Sequence, residues 1–194
     1  MYQFLPAPDV IRKECAWAWW DGAFTDDELN KIIELGDALK KVTATIGDLN
    51  IKEEDRKTKI SWVPYNQDTS FIYDKLSFVA TRVNAEYFGL DLFGFVEDFQ
   101  YTVYDEVGSH YRWHWDKQNF AKSPRKLSSV LILSDESEYE GGELQLLPCG
   151  EEVSLEKKRG RIYFFPTYVV HRVTPVTSGV RKSLVSWVAG PAFK

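Results

Sequence analysis

Tyr104 to Asp116 reads YDEVGSHYRWHWD and holds two of the chain's three histidines. In an extended strand, side chains at i and i+2 share a face. His114 and Asp116 then stand side by side, about 6–7 Å apart along the backbone, with Trp115 turned the other way. An imidazole nitrogen and a carboxylate oxygen so placed can converge on one metal ion.

The neighbouring sequence supports the strand reading. Phe99, Tyr101 and Val103 alternate with polar partners. Further strands are expected at about 109–116, 126–134, 143–147, 160–165, 168–174 and 181–189, after a first at 97–104. Gly141-Gly142, Pro148-Cys149-Gly150 and Ser178-Gly179 mark turns between them. Short strands at this rhythm predict a sandwich of the double-stranded jelly-roll kind.

Upstream the period changes. A strand is expected around Trp17, Trp19 and Trp20. Thr25-Asp26-Asp27-Glu28 is a capping box, followed by Leu29, Ile32, Ile33 and Leu39 at helical spacing. Residues 42–57 read as a strand and an exposed loop, with Lys52-Glu53-Glu54-Asp55-Arg56 as solvated surface. Lys59 to Val63 is a strand stopped by Pro64. A second helix runs from the polar Asn66–Ser70 entry to about Phe88, with Ile72, Leu76, Val79, Val83 and Tyr87 on one stripe. The expected class is α+β: a double-stranded β-helix (jelly-roll) core with two N-terminal helices packed on one sheet. Residues 1–194 are expected to form a single domain, with 1–95 as support and 96–190 as the core.

Composition narrows the function. A net charge of −5 disfavours a nucleic-acid partner held by a basic surface. Cys15 and Cys149 make neither a disulfide framework nor a thiolate zinc site, and both are expected to be small buried hydrophobes. No signal peptide or membrane-length apolar run is visible, so the expected compartment is the cytoplasm.

A third metal ligand has few sources. His171 shares a strand face with Val169 and Val173, where an unpaired imidazole would cost about 1–3 kcal/mol. It is therefore either a satisfied core residue or a ligand, and the His114-x-Asp116 pair favours the ligand. His110 competes. In a straight strand it lies roughly 13 Å from His114, although Gly108-Ser109 could bend the chain; it is read as a rim or surface residue. Arg181, Ser183, Val185 and Trp187 share another face. A guanidinium directed into an apolar barrel needs an anion, either one of the protein's own acids or a ligand carboxylate.

Taken together, His114-x-Asp116, His171 and Arg181-x-Ser183 resemble the Fe(II)/2-oxoglutarate-dependent dioxygenase superfamily. Tyr104, Gly108, Tyr111, His114 and Asp116 resemble the run found in prolyl 4-hydroxylase-like members. Leu131–Ser134, Tyr139–Leu144, Phe165-Pro166 and His171–Thr177 resemble the PKHD-type branch. The resemblance covers about residues 97–189. It implies Fe(II) held by His114, Asp116 and His171, with Arg181 and Ser183 on the distal carboxylate of 2-oxoglutarate and Tyr104 hydrogen-bonded to that co-substrate. A second carboxylate-binding tyrosine of some prolyl hydroxylases is replaced here by Ile132 or Leu131.

The activity so implied is hydroxylation of an aliphatic C–H of a prolyl or other amino-acid residue, peptidyl or free. O2 is consumed, succinate and CO2 are co-products, and ascorbate is a candidate accessory reductant. Asp116 favours hydroxylation, because halogenating relatives lack that carboxylate. The partner expected is a protein or amino-acid substrate, with no membrane. Two other readings are a non-catalytic jelly-roll metal- or ligand-binding module and a nucleic-acid demethylase of the same superfamily. Arg181 and Tyr104 argue against the first, the acidic balance against the second. Trp62, Tyr65, Asn66, Asp68, Trp113, Trp115 and Arg125 are candidates for the mouth of the site.

Overall fold

The computed structural model describes residues 16–43, 54–117 and 124–191. Among them the strands are β1 Ala18–Trp20, β2 Val42–Thr43, β3 Arg56–Lys57, β4 Lys59–Val63, β5 Gly94–Phe95, β6 Phe99–Tyr104, β7 His110–His114, β8 Arg125–Ile132, β9 Tyr139–Gly141, β10 Leu144–Leu146, β11 Val153–Ser154, β12 Ile162–Pro166, β13 His171–Val173, β14 Val176–Gly179 and β15 Arg181–Ala189. The helices are α1 Asp26–Ala38 and α2 Ser70–Val83, and α2 passes into a π-helical turn, Asn84–Phe88. Cys15 and the Gly47-Asp48 stretch lie outside the described residues.

Helix α1 begins where the sequence predicts. The Glu28 N–H donates to Thr25 Oγ1 and the Thr25 N–H donates to Glu28 Oε2, so two otherwise unpaired donors are satisfied reciprocally. Leu29, Ile32 and Gly36 form its buried face. On α2, Ile72, Leu76, Val79 and Val83 are buried, whereas Tyr87 beyond it is half-exposed.

The strands make two facing sheets. The main one runs β1-β12-β8-β15-β6-β4-β2, with β5 added on β15; the smaller one runs β11-β10-β13-β7-β3; β14 and β9 form a short ribbon. This is the double-stranded β-helix architecture. Both faces of the main sheet are covered. Phe99, Tyr101, Val103, Leu127, Leu131, Ile162, Phe164 and Leu184 pack with the helices in one apolar cluster. The alternate residues Tyr104, Val130, Ile132, Tyr163 and Phe165 turn inward to a second cluster. Burying one such aliphatic or phenyl side chain contributes about 1.5–3 kcal/mol. All six residues of β6 are consequently buried, and its polar members Gln100 and Thr102 face the interior rather than water.

Several expectations are corrected. Cys149 is exposed, in a tight turn with a left-handed φ of 54°, rather than a buried hydrophobe. The charged run ending at Arg56 is not wholly solvated surface: Arg56 is 6% exposed and lies on β3, paired to β7. Strand β7 is not straight either. His171 pairs with His114 but Val173 pairs with Tyr111, so three steps on one strand match two on the other. This bulge re-phases β7 and puts Tyr111, rather than His110, on the face of His114.

The turn after β9 accounts for Gly141-Gly142. A Cβ on Gly141 would lie 2.1 Å from the Pro175 carbonyl oxygen, and one on Gly142 would lie 3.0 Å from Cδ of Arg181. The close approach of this turn is what leaves room for the Arg181 side chain. Beside it, Thr174 Oγ1 donates to Glu143 Oε2 and accepts the Glu143 N–H, which ties β13 to the same turn.

Candidate functional site

A cavity of about 310 Å³ opens between the two sheets. His114, Asp116, His171, Arg181, Tyr104 and Ser183 all line it. The structure thus brings together every residue singled out above as a ligand or co-substrate contact.

His114 and His171 come from the end of β7 and the start of β13, opposite one another in register. Asp116 follows β7 and is held by its own N–H, which donates to the Thr167 carbonyl. His114 Nε2 is 3.7 Å from Asp116 Oδ1, and His171 Nε2 is 3.5 Å from Asp116 Oδ2. One ligand atom from each residue lies within 4.8 Å of the others. His114 Nδ1 lies 2.7 Å from the Arg112 carbonyl and His171 Nδ1 lies 3.1 Å from the Val169 carbonyl. A carbonyl only accepts, so each Nδ1 carries the proton and each Nε2 offers its lone pair to the cavity.

The electrostatics match that tautomer. Burial above all holds the His114 imidazole below its ordinary pKa and so keeps it neutral. Burial pushes the Asp116 carboxyl up, but the two imidazoles and the Ser128 hydroxyl outweigh it and hold it ionised. Ser128 Oγ donates to Asp116 Oδ2 at 2.7 Å. The Trp187 N–H faces the same carboxylate without closing a hydrogen bond. Two imidazoles with Nε2 turned to the cavity and one carboxylate are the donor set of a 2-His-1-carboxylate centre, so the residues present fit an Fe(II)-type metal.

Arg181 is 1% exposed and its Nε has no partner. Its Nη1 donates to Ser183 Oγ at 3.2 Å, its guanidinium carbon lies 5.0 Å from the Tyr104 ring centroid, and the Tyr139 phenol is close by. Among the described residues no carboxylate pairs with it. A guanidinium left this way fits a dicarboxylate ligand. Burial pushes the Tyr104 phenol up, which leaves it a neutral hydroxyl able to donate.

The other candidates separate clearly. His110 lies outside the cavity, with its ring nitrogens on the carbonyls of Gly108 and Glu54. Trp62 and Arg125 do line the cavity. Arg125 lies 3.5 Å above the Trp187 ring and pairs through two nitrogens with Glu97. Tyr65 packs edge-on against Tyr73, Asn66 caps the loop before α2, Asp68 and Trp115 are exposed, and Trp113 stacks under Arg172 on the outer surface. Sequence reasoning missed Ser128, which the period-two pattern of β8 could have placed inward, and Arg56, for which no local signal existed.

Fold and site together define a double-stranded β-helix with a 2-His-1-carboxylate centre and a buried anion-binding arginine. Residues 99–189 match the profile of the 2OG-Fe(II) oxygenase superfamily. Over these residues the chain is similar to that superfamily, which is named for Fe(II) and 2-oxoglutarate, and to its PKHD-type hydroxylases. A PKHD-type hydroxylase of Synechococcus sp. (strain CC9902) is 45% identical over 85 residues, or 43% of this chain and 37% of that relative. Another, from Synechococcus sp. (strain CC9605), is 38% identical over 83 residues, or 42% and 37%. The chain thus spans well under half the length of these curated relatives. A prolyl-4-hydroxylase from Pseudomonas putida superposes with a TM-score of 0.72 at 22% identity, covering 91% of this chain and 94% of that one. A Trichoplax adhaerens prolyl hydroxylase, solved with a hypoxia-inducible-factor peptide fragment, gives 0.75 at 15% identity, covering 90% and 84%. These likenesses fix the fold. Among the described residues no helix is long and apolar enough to cross a membrane.

Proposed function

We propose that this protein is an Fe(II)- and 2-oxoglutarate-dependent hydroxylase acting on an aliphatic C–H of a prolyl or other amino-acid residue. One observation carries the reading. A metal-ready His114/Asp116/His171 set and a buried Arg181 without an acid open into the same cavity. A structural metal site has no use for the second feature.

In this reading His114, Asp116 and His171 hold the metal through Nε2, a carboxylate oxygen and Nε2. Arg181 and Ser183 bind the distal carboxylate of 2-oxoglutarate, and Tyr104 donates its hydroxyl to the same molecule. Bound there, metal, 2-oxoglutarate and O2 supply oxidative decarboxylation to succinate and CO2 coupled to C–H hydroxylation. The chain's own task is orientation and exclusion of water. Ser128 fixes the Asp116 carboxylate, Val130, Val173 and Val185 make the walls apolar, and Trp62 with the Arg125–Trp187 stack borders the substrate side. Ascorbate is assigned as the accessory reductant and the cytoplasm as the compartment. Residues 1–194 are taken as one domain, with 1–95 supporting the 96–190 core. The prolyl hydroxylase neighbours, one of them solved with a peptide, support an amino-acid or peptide substrate.

The test is succinate release from 2-oxoglutarate by the Fe(II)-loaded protein, with free amino acids and proline-containing peptides as acceptors. Turnover raised by one acceptor and lost in Asp116→Ala supports the reading. Equal succinate from wild type and Asp116→Ala would sink it.

A further inference from the structure

The cavity holds a second arginine that the reading above does not use. Arg56 comes from β3, at the edge of the smaller sheet, directly opposite Tyr111 in register. Residues opposed in this way share a face, so the side chain enters the space between the sheets. It is 6% exposed, and its Nε is buried without a hydrogen-bond partner. Its guanidinium carbon lies 4.3 Å from the Tyr111 ring centroid, and the Tyr111 ring lies 3.5 Å from that of His114. The three form a stack leading from Arg56 to the metal set. Neighbouring Lys57 and Lys59 are satisfied outside by Glu106 and Asp105, but among the described residues no carboxylate pairs with Arg56.

A buried guanidinium without an anion is costly, and cation–π stacking offsets only part of that cost. The other charges of the cavity are matched. Glu97 neutralises Arg125, and Asp116 belongs to the metal set. If the proposed function holds, one carboxylate of 2-oxoglutarate meets Arg181 and the other meets the metal. Arg56 is then the cation of the cavity left without an anion. We propose that Arg56 binds a carboxylate carried by the substrate, at a subsite separate from Arg181. That carboxylate is either the α-carboxylate of a free amino acid or an acidic side chain next to the hydroxylated residue. The planar fork of Arg56, which lines the cavity and stacks on the Tyr111 ring, suits two parallel hydrogen bonds to it.

The test uses the full chain loaded with Zn(II) and 2-oxoglutarate, so that binding is read without turnover. Calorimetry compares two probe pairs: L-proline with L-prolinamide, and acetyl-Ala-Pro-Asp-amide with acetyl-Ala-Pro-Asn-amide. In one pair the carboxylate member binds wild type roughly ten- to a hundredfold tighter, as a charge-assisted hydrogen bond would give. That pair names the source. Arg56→Gln removes the preference and leaves 2-oxoglutarate affinity within about threefold, since Arg181 is intact. Arg56→Met, which removes the buried charge altogether, repeats the test if the glutamine variant melts early. The proposal is overturned if neither pair discriminates, if both variants keep the preference, or if they lose 2-oxoglutarate instead. A wild type that binds no 2-oxoglutarate overturns the proposed function as well. One that binds it but ignores the probe carboxylate overturns the Arg56 subsite alone.

Discussion

His171 sits directly across from His114 in the β13–β7 pair, with the imidazole centroids 4.1 Å apart. The two rings stand this close beside Asp116, where one metal ion can bind all three. His171→Ala and His114→Ala should therefore lose metal affinity by more than the roughly 10–100-fold that removal of an outer partner costs. Ser128→Ala, which removes only the hydroxyl on Asp116, should fall within that range. His110→Ala should bind metal as wild type does, because His110 contacts only the Gly108 and Glu54 carbonyls. Calorimetric titration with Zn(II) ranks the four variants, and equal loss in His110→Ala and His171→Ala would overturn the ligand assignment.

Arg181 should behave as a group kept for ligand binding at the expense of stability. Replacing it with Met removes a buried guanidinium that has no acid, a change of the kind that is neutral or stabilising by about 1–4 kcal/mol even for paired ions. The variant should melt no lower than the wild-type apoprotein, yet 2-oxoglutarate should no longer raise its Tm. A clear fall in apoprotein Tm with the ligand-induced rise retained would contradict this.

Gly36 on α1 is required by contact. A Cβ there would lie 2.5 Å from ring carbons of Tyr101, which is fully buried and donates its hydroxyl to Asp37. Gly36→Ala should destabilise the fold by about 1–3 kcal/mol of overpacking, despite the gain of about 1 kcal/mol in helix propensity. Urea unfolding reads the sign: a midpoint shifted upward would show that α1 moves off the sheet freely.

Asp21 ties the N-terminal strand to β12. Hydrogen bonds from Arg161, then Lys158, outweigh burial and lower its pKa to about 2. The folded-state pKa is the lower one, so its contribution is present above the unfolded carboxylate's value of about 4 and is lost as the pH falls toward 2. Asp21 is partly exposed, and screening keeps this to about 1 kcal/mol or less. Asp21→Asn should melt below wild type near neutrality, with the difference closing between about pH 4 and pH 2. A difference independent of pH would point to packing instead.

The metal set was legible in the sequence because His114 and Asp116 stand two residues apart beyond the bulge and because few histidines compete. The inward face of β15 was legible for the same reason, since Arg181, Ser183, Val185 and Trp187 all line the cavity. Three features were not legible. The bulge between Tyr111 and His114 arises from pairing with β13, a segment far along the chain. Ser128 acts on Asp116 only because β8 passes beneath it. Arg56 ends a run of charges that local reasoning assigns to solvent, and it is buried by its register with Tyr111. In each case a contact distant in sequence overrides the local pattern. The short β9, β11 and β14 carry too few residues to show a period at all.

The central claim is that one cavity holds Fe(II) and 2-oxoglutarate together. Anaerobic addition of 2-oxoglutarate to the Fe(II)-loaded protein tests it most directly, followed by visible absorption. The account predicts a metal-to-ligand charge-transfer band in wild type that is absent from His171→Ala and needs much more 2-oxoglutarate in Arg181→Met. No band in a wild-type protein that demonstrably holds Fe(II) would contradict it.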